Sequence, residues 1–425
     1  MVKNISVPRG TADILPEDIF LWQDIELKSR NLFKSYNYRE IRTPIFEETA
    51  LFTRSLGQTS DVVNKQLLNL AGDKKDGFSL RPEGTASIVR SYIQNGLDRK
   101  ESLSKLFYFG PMFRGERPQK GRLRQFHQIG VEAIGANSCS PLLDAEIIQL
   151  SVKLLNSFGL NNFQLKINTL GTKEDKANFS KVLRKKLSAN KNELCEDCRN
   201  RFDRNVFRIL DCKNKKCQQI VDGLEIGHNY LSERSCAYFT DVQNALNEAG
   251  IAYEVSDKLV RGLDYYTHTV FEISDSSLGS QDALGAGGRY GDLVKQLGGP
   301  DADAIGFALG IERIILALDK KENSLLDVLD VYLVALDVEA SKHAFILLSV
   351  LRENNIKADM SFKVSSMKSQ MRQANKLGAS AVIILGEDEL RKNCVIFKDM
   401  KTSDQGDISI EQNYNQLIEK FKERK

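Results

Sequence analysis

The stretch FYFGPMFRGERPQKGRLRQFHQIGVE, Phe107 to Glu132, decides how the chain is read. Two β-type runs flank a loop carrying Arg117, Lys120 and Arg122, and Arg114 closes the first run. A guanidinium offers a planar fork of donors that grips phosphate oxygens two at a time. After the loop, Arg124, Phe126, Gln128, Gly130 and Glu132 alternate. Alternate residues of a strand point to one face. That face would offer a cation, an aromatic plate, an amide, a gap and a carboxylate, a set that suits a nucleotide beside a small polar molecule. His127 has the opposite parity and is expected to face away. An ordinary solvated basic hairpin is the alternative on this segment alone.

Outward from there, 425 residues allow two or three domains. Hydrophobic residues make up 41%, enough for real cores, and the 28% of charged residues nearly cancel to +3. Net charge therefore neither supports nor excludes a nucleic-acid partner, and any RNA contact must come from local patches. No apolar run approaches the roughly 20 residues that span a bilayer. The first residues lack the apolar core of a secretory signal. A cytoplasmic protein with no membrane partner is expected. Seven scattered cysteines, an odd number, argue against a disulfide scaffold.

A boundary is expected near residues 320–330, where a helical stretch runs into ENSLLD and VLDVYLVAL opens a new pattern. Beyond it, a strand, a helix at 341–353, a short strand near 356–362, a helix at 366–377 and the strand AVIIL (381–385) alternate. That order implies a parallel or mixed sheet with helices on its faces, so 330–425 reads as a separate α/β domain. Residues 1–325 read as an α+β domain with antiparallel-looking strands at 106–114, 123–134, 164–170 and 267–274. Residues 172–252 read as a helical insertion in it.

Other segments carry chemistry. In FSLRPEGT (78–85), Glu83 and Thr85 share strand parity, and a carboxylate beside a hydroxyl suits an α-ammonium group; a capping pair at the next helix is the alternative. In LVRGLDYYTHTVFEI (259–273), Arg261 sits in apolar company beside Gly262, Tyr265 and Tyr266. A cation there could stabilise charge developing at a carboxylate–phosphate centre. Arg261 and Tyr266 have opposite parity, so a turn or bulge at Gly262 is needed for both to reach one site. In AIGFALGIERIIL (304–316), glycines precede a helix whose first turn carries Glu312 and Arg313. Cys195, Cys198, Cys212 and Cys217 have spacings that could hold a structural zinc; ordinary reduced thiols are the alternative.

Taken together, these segments resemble class II aminoacyl-tRNA synthetases, and specifically the histidyl-tRNA synthetase family. The 107–132 stretch resembles the second class II motif, and YREIRTPIFEE with Pro44 resembles the first, which builds a dimer interface. The 304–316 segment resembles the third. Arg261–Tyr266 and ALGAGGRYGDLVKQLGG (283–299) resemble the two peptides peculiar to the family. The resemblance spans nearly the whole chain. It implies a catalytic domain on a mostly antiparallel sheet, a C-terminal α/β anticodon-binding domain and a homodimer. It implies histidine–tRNA ligase activity on L-histidine, ATP with Mg²⁺, and tRNA(His). Arg261, Arg114 and Gln128 are the implied catalytic groups. Arg114, Arg122, Phe126 and Arg313 would hold ATP. Glu83, Thr85, Gln128, Glu132, Tyr265, Tyr266 and Tyr290 would bind histidine. Arg117 and Gln119 would touch the tRNA acceptor stem. The segment 363–379, with four cations and no acid, would face phosphates; a solvated helix face is the alternative. The family's silent relative is a regulatory subunit of the ATP phosphoribosyltransferase, a binding protein that tends to lose the Arg261 peptide and the C-terminal module. Departures from the family pattern are the order Gly291-Asp292, which bears on the local turn, Gln58 where an acid is common, and Val206 where proline is usual.

Overall fold

The computed structural model describes residues 5–57, 60, 62–71, 77–263, 265–318, 328–410 and 414–424, without the side chains of Ser280 and Gln281. Gln58, Asp264 and most of the expected boundary (319–327) lie outside the described residues. The chain separates into two units, Met1–Glu322 and Asn323–Lys425.

In chain order the first unit runs α1 (Pro16–Ser35), β1 (Arg39–Glu40), β2 (Phe46–Glu48), α2 (Thr49–Ser55), β3 (Phe78–Leu80), α3 (Thr85–Gln94), β4 (Ser104–Phe113), β5 (Gln125–Gly135), α4 (Pro141–Ser157) and β6 (Gln164–Thr169). It continues with α5 (Lys173–Leu187), α6 (Glu196–Arg204), α7 (Lys215–Asp222), α8 (Glu233–Glu248), β7 (Glu254–Val255), β8 (Thr267–Ser274), β9 (Ala283–Arg289), α9 (Asp292–Gln296), β10 (Asp303–Gly310) and α10 (Ile311–Ala317). Eight strands form one sheet in the order β1-β4-β5-β10-β9-β8-β6-β7. Its five inner pairings are antiparallel; the outermost two, β1 with β4 and β6 with β7, are parallel.

Strand periodicity explains the two faces. Ile129, Val131 and Ala133 of β5 pack with Phe33 of α1, Ile148 of α4 and Leu246 of α8. On the opposite face, Leu106, Tyr108 and Ile134 pack with Phe52 of α2, Ile88 of α3 and Leu293 of α9. Both faces being covered, the far half of β5 is buried without interruption. Helix α8, placed in the insertion by sequence, belongs to the first of these cores through Phe239, Val242 and Leu246. Helices α5 to α7 form a further cluster around Phe179, Leu183, Cys198 and Cys217, which also takes in Leu170, Leu259, Val260 and Val270.

The second unit runs β11 (Val331–Ala335), α11 (Val338–Glu353), β12 (Ala358–Met360), α12 (Met367–Lys376), β13 (Ala381–Leu385), α13 (Glu387–Arg391), β14 (Cys394–Asp399), β15 (Gln405–Ser409) and α14 (Asn415–Lys422). Its sheet order is β12-β11-β13-β14-β15, parallel over the first three strands and antiparallel over the last two. Val331, Leu333 and Ala335 face α11 and α14, while Tyr332 and Val334 face α12. The antiparallel pair β14–β15 was not anticipated. Among the described residues, no helix is long and apolar enough to cross a membrane.

Candidate active site

One cleft lies over the sheet of the first unit. The β4–β5 hairpin supplies Arg114, Arg122, Phe126, Gln128 and Glu132 to it, and the entry to α3 supplies Glu83 and Thr85. The segment before β8 supplies Arg261, Tyr265 and Tyr266, the end of β9 supplies Tyr290, and α10 supplies Arg313.

One half of the cleft is a polar pocket centred on Glu132. Its carboxylate is buried and accepts hydrogen bonds from the Thr85 hydroxyl at 2.7 Å and from the Tyr290 phenol. Burial pushes Glu132 up to about 8, although both hydroxyl donors pull it down. The space for this side chain comes from β10: Gly306 pairs with Glu132, and a Cβ there would lie 1.8 Å from Glu132 Oε2. The Gln128 side-chain oxygen is buried with no hydrogen-bond partner among the described residues, so it can receive a donor from a ligand. Tyr265 packs against both Tyr266 and Tyr290. Burial pushes the Tyr266 phenol up to about 12, against the pull of Arg261.

Three expectations for this half are corrected. Glu83 and Thr85 do not share a strand face, because β3 ends at Leu80 and α3 begins at Thr85. Glu83 instead accepts the N–H groups of Thr85 and Ala86, each at 2.8 Å, and caps α3. The gap at Gly130 is filled: the Tyr108 ring occupies the space where Cβ atoms of both Gly84 and Gly130 would go. Arg124 leaves the cleft face and donates to the carbonyls of Glu116 and Arg9.

The other half is cationic. Arg114 donates to the Pro82 carbonyl at 2.9 Å, and its guanidinium sits 5.0 Å from the centre of the Phe126 ring. Arg313 is held by the carbonyls of Gly121 at 2.9 Å and Ala283 at 2.6 Å. Burial lowers the pKa of Arg313, and the like charges of Arg114 and Arg122 lower it further. Cations held this close by backbone carbonyls form a preorganised anion site. Arg261 donates to Glu272 at 2.5 Å. Burial opposes its charge, but Glu272 more than offsets this and its pKa is raised. The parity conflict between Arg261 and Tyr266 disappears because the chain bends at Gly262 and Leu263 before β8 begins. Gly288, in the glycine-rich β9, leaves room for the Tyr266 ring, which a Cβ there would meet at 3.0 Å.

A profile of the histidyl-tRNA synthetase family matches residues 10–314, which include every one of these side chains. The chain belongs to the histidyl-tRNA synthetase family. A profile of the anticodon-binding domain matches residues 330–423. The histidine–tRNA ligase of Halothermothrix orenii is 45% identical over 96% of this chain and 97% of its own length. That of Bacillus licheniformis is 44% identical over 96% of each. The apo histidyl-tRNA synthetase of S. aureus superposes with a TM-score of 0.81 at 38% identity, covering 99% of this chain and 100% of its own. A Bacillus halodurans structure described as an ATP phosphoribosyltransferase regulatory subunit/histidyl-tRNA synthetase has a TM-score of 0.67 at 22% identity, covering 90% of this chain and 98% of its own. That likeness speaks to the fold alone.

Sequence reasoning missed the contacts of two acids in this synthetase-family cleft. Glu312 accepts the His127 backbone N–H at 2.9 Å and meets His127 Nδ1 at 2.9 Å, tying α10 to β5. His127 also stands edge-on to Trp22, so it does face away from the cleft. Glu116 pairs with Arg122. Local spacing does not reveal the Glu312–His127 contact, since it joins segments far apart in the chain; Glu116 and Arg122 are neighbours in one loop, and their pairing depends on how that loop folds. Arg117 and Gln119 lie outside the cleft, in a separate recess with Lys65 and Gln66. The order Gly291-Asp292 is accommodated: α9 starts at Asp292, which pairs with Lys173 at 2.9 Å. Val206 is buried at the start of a single helical turn. The four insertion cysteines come together away from the cleft.

Proposed function

We propose that this member of the family activates L-histidine with ATP and passes the histidyl group to tRNA(His). A histidine carboxylate oxygen attacks the α-phosphorus, pyrophosphate leaves, and histidyl-adenylate forms. A ribose hydroxyl at the tRNA 3′ end then attacks the adenylate carbonyl, and AMP leaves. Neither step needs a nucleophilic side chain; positioning and electrostatics suffice.

The observation that carries the reading is the split of one cleft into a cationic half and a polar half centred on Glu132. In the cationic half, Arg114 would hold the α-phosphate, Arg313 the γ-phosphate, and Arg122 would reach the phosphate tail. Phe126 would stack on adenine. Glu116 and Glu312 line the same half and suit a hard cation; Mg²⁺ carried by ATP would spread charge as pyrophosphate leaves. Arg261 would stabilise the transition state at the α-phosphate. In the polar half, Glu132 and Tyr266 would hydrogen-bond the two imidazole nitrogens, with Tyr265 and Tyr290 as walls. Glu83, Thr85 and Gln128 would take the ammonium and carboxylate ends. A pocket of buried hydrogen-bonding groups rejects amino acids that leave them unpaired. A zinc ion at the insertion cysteines would be structural and takes part in neither step.

Arg117 and Gln119 would meet the acceptor stem, and α12, which exposes Lys368, Arg372 and Lys376, would meet phosphates of the tRNA. A homodimer acting in the cytoplasm completes the reading. The exposed apolar side chains Ile45, Phe46 and Phe78 next to Pro44 support a covered surface there. The regulatory-subunit alternative is not favoured, because the Arg261 peptide and the C-terminal module are both present. The test is charging of a tRNA(His) transcript with labelled histidine. Stable aminoacyl-tRNA supports the reading, and its absence with folded protein, ATP and Mg²⁺ contradicts it.

A further inference from the structure

Cys195 and Cys198 flank the start of α6, while Cys212 and Cys217 flank the start of α7. Their four Sγ atoms nevertheless all lie within 4.8 Å of one another. A zinc–thiolate bond is about 2.3 Å long, so four sulfurs around one zinc stand roughly 3.8 Å apart. Sγ of Cys195 and Sγ of Cys212 are 3.8 Å apart. We infer that these four cysteines form a closed tetrathiolate site for one zinc ion that staples the helical insertion.

Several independent observations support this. The Cys195–Cys212 separation is well beyond the roughly 2.05 Å of a disulfide. Backbone groups already serve the sulfurs: the Cys195 N–H donates to Cys217 Sγ at 3.2 Å and the Asn214 N–H to Cys212 Sγ at 3.5 Å. Such outer donors orient and stabilise metal-bound thiolates. Three of the four thiols are buried and the fourth is half-buried, which suits a site with no open coordination position, the mark of a structural zinc. Four thiolates around zinc carry a net double negative charge. Between Cys212 and Cys217 the chain reads Lys-Asn-Lys-Lys, and Arg199 follows Cys198.

Such a staple would add to the buried cluster of Phe179, Phe202, Ile209 and Val221 that already holds the insertion. Helix α6 has nine residues and α7 has eight, too few to persist without outside support. Small units of this kind are commonly held by metal or disulfides. The stapled stretch includes Val206 and Phe207, which line a recess shared with Arg261. Zinc would thus hold the segment that borders the active-site arginine.

The test is elemental analysis of the full chain, purified without added metal and without chelator. The expected result is about one equivalent of zinc, lost in Cys198→Ser and in Cys217→Ser. Cobalt exchanged into the wild-type chain should give the visible bands of a tetrahedral thiolate site. Less than roughly a tenth of an equivalent of zinc in folded wild-type protein overturns the inference. So does iron in its place, or a disulfide among these cysteines on alkylation and peptide mapping. The wild-type measurement stands even where a serine variant fails to fold, and it does not depend on which substrate the cleft takes.

Discussion

At the residue scale, the proposed chemistry rests most heavily on two side chains. Arg261 is a half-buried cation balanced by Glu272, and the proposed reaction has it meet charge that develops at the α-phosphate. Arg261→His should lower the rate of adenylate formation by about 10² to 10³-fold, a loss typical of removing one transition-state donor, while the circular dichroism spectrum stays unchanged. A single-turnover rate near that of the wild type would remove Arg261 from the mechanism. Glu132 offers a pH signature. Burial raises it to about 8 in the folded protein, against about 4.3 in an unfolded chain. Between those values the folded state holds a proton that the unfolded state has lost, so this group's contribution to stability falls as pH rises. Below the lower value the contribution is fully present. Thermal melts of the ligand-free protein from pH 5 to 8 should show that decline, and Glu132→Gln should flatten it. An unchanged slope in the variant would place Glu132 outside this balance.

At the element scale, the site depends on strand pairing. Phe126, Gln128 and Glu132 were legible on one face because a strand repeats every two residues. Their surroundings were not. Gly306 makes way for Glu132, and Tyr108 fills the space over Gly130; both follow from register between distant segments, which spacing alone does not disclose. The same limit hid the Glu312–His127 contact, whereas the capping alternative at 83–85 was open in the sequence and is the one the structure takes, with Glu83 as the cap. The end of the strand at Leu80 and the helix start at Thr85 decided the geometry there. Gly306→Ala should therefore displace the Glu132 carboxylate. Overpacking of this kind costs about 1 to 3 kcal/mol, and the KM for histidine should rise at least tenfold with a smaller change in the KM for ATP. Equal changes in both constants would argue that the substitution disturbs the whole sheet instead.

At the scale of the whole molecule, the two units have separate sheets and separate cores. The strand–helix alternation of 330–385 was visible in sequence because buried parallel strands read as continuous apolar runs. The closing antiparallel pair was not read, since β14 (CVIFKD) finds its partner in β15 (QGDIS), which is mostly exposed and carries little apolar signal. The units should also separate functionally. Replacing Lys368 and Arg372 of α12 by alanine should raise the KM for tRNA and reduce the salt dependence of binding by roughly one unit of slope per lost phosphate contact. Histidine activation without tRNA should be unaffected. Unchanged tRNA binding would assign α12 to a solvated face.

The central claim is that one cleft joins an ATP site to an imidazole-reading pocket. The most direct measurement is amino-acid-dependent ATP–pyrophosphate exchange, run with each of the twenty amino acids. The account predicts exchange with histidine alone. Exchange with a different amino acid would contradict the pocket around Glu132 and Tyr266, and no exchange with any, in folded protein with Mg²⁺, would contradict the activation step itself.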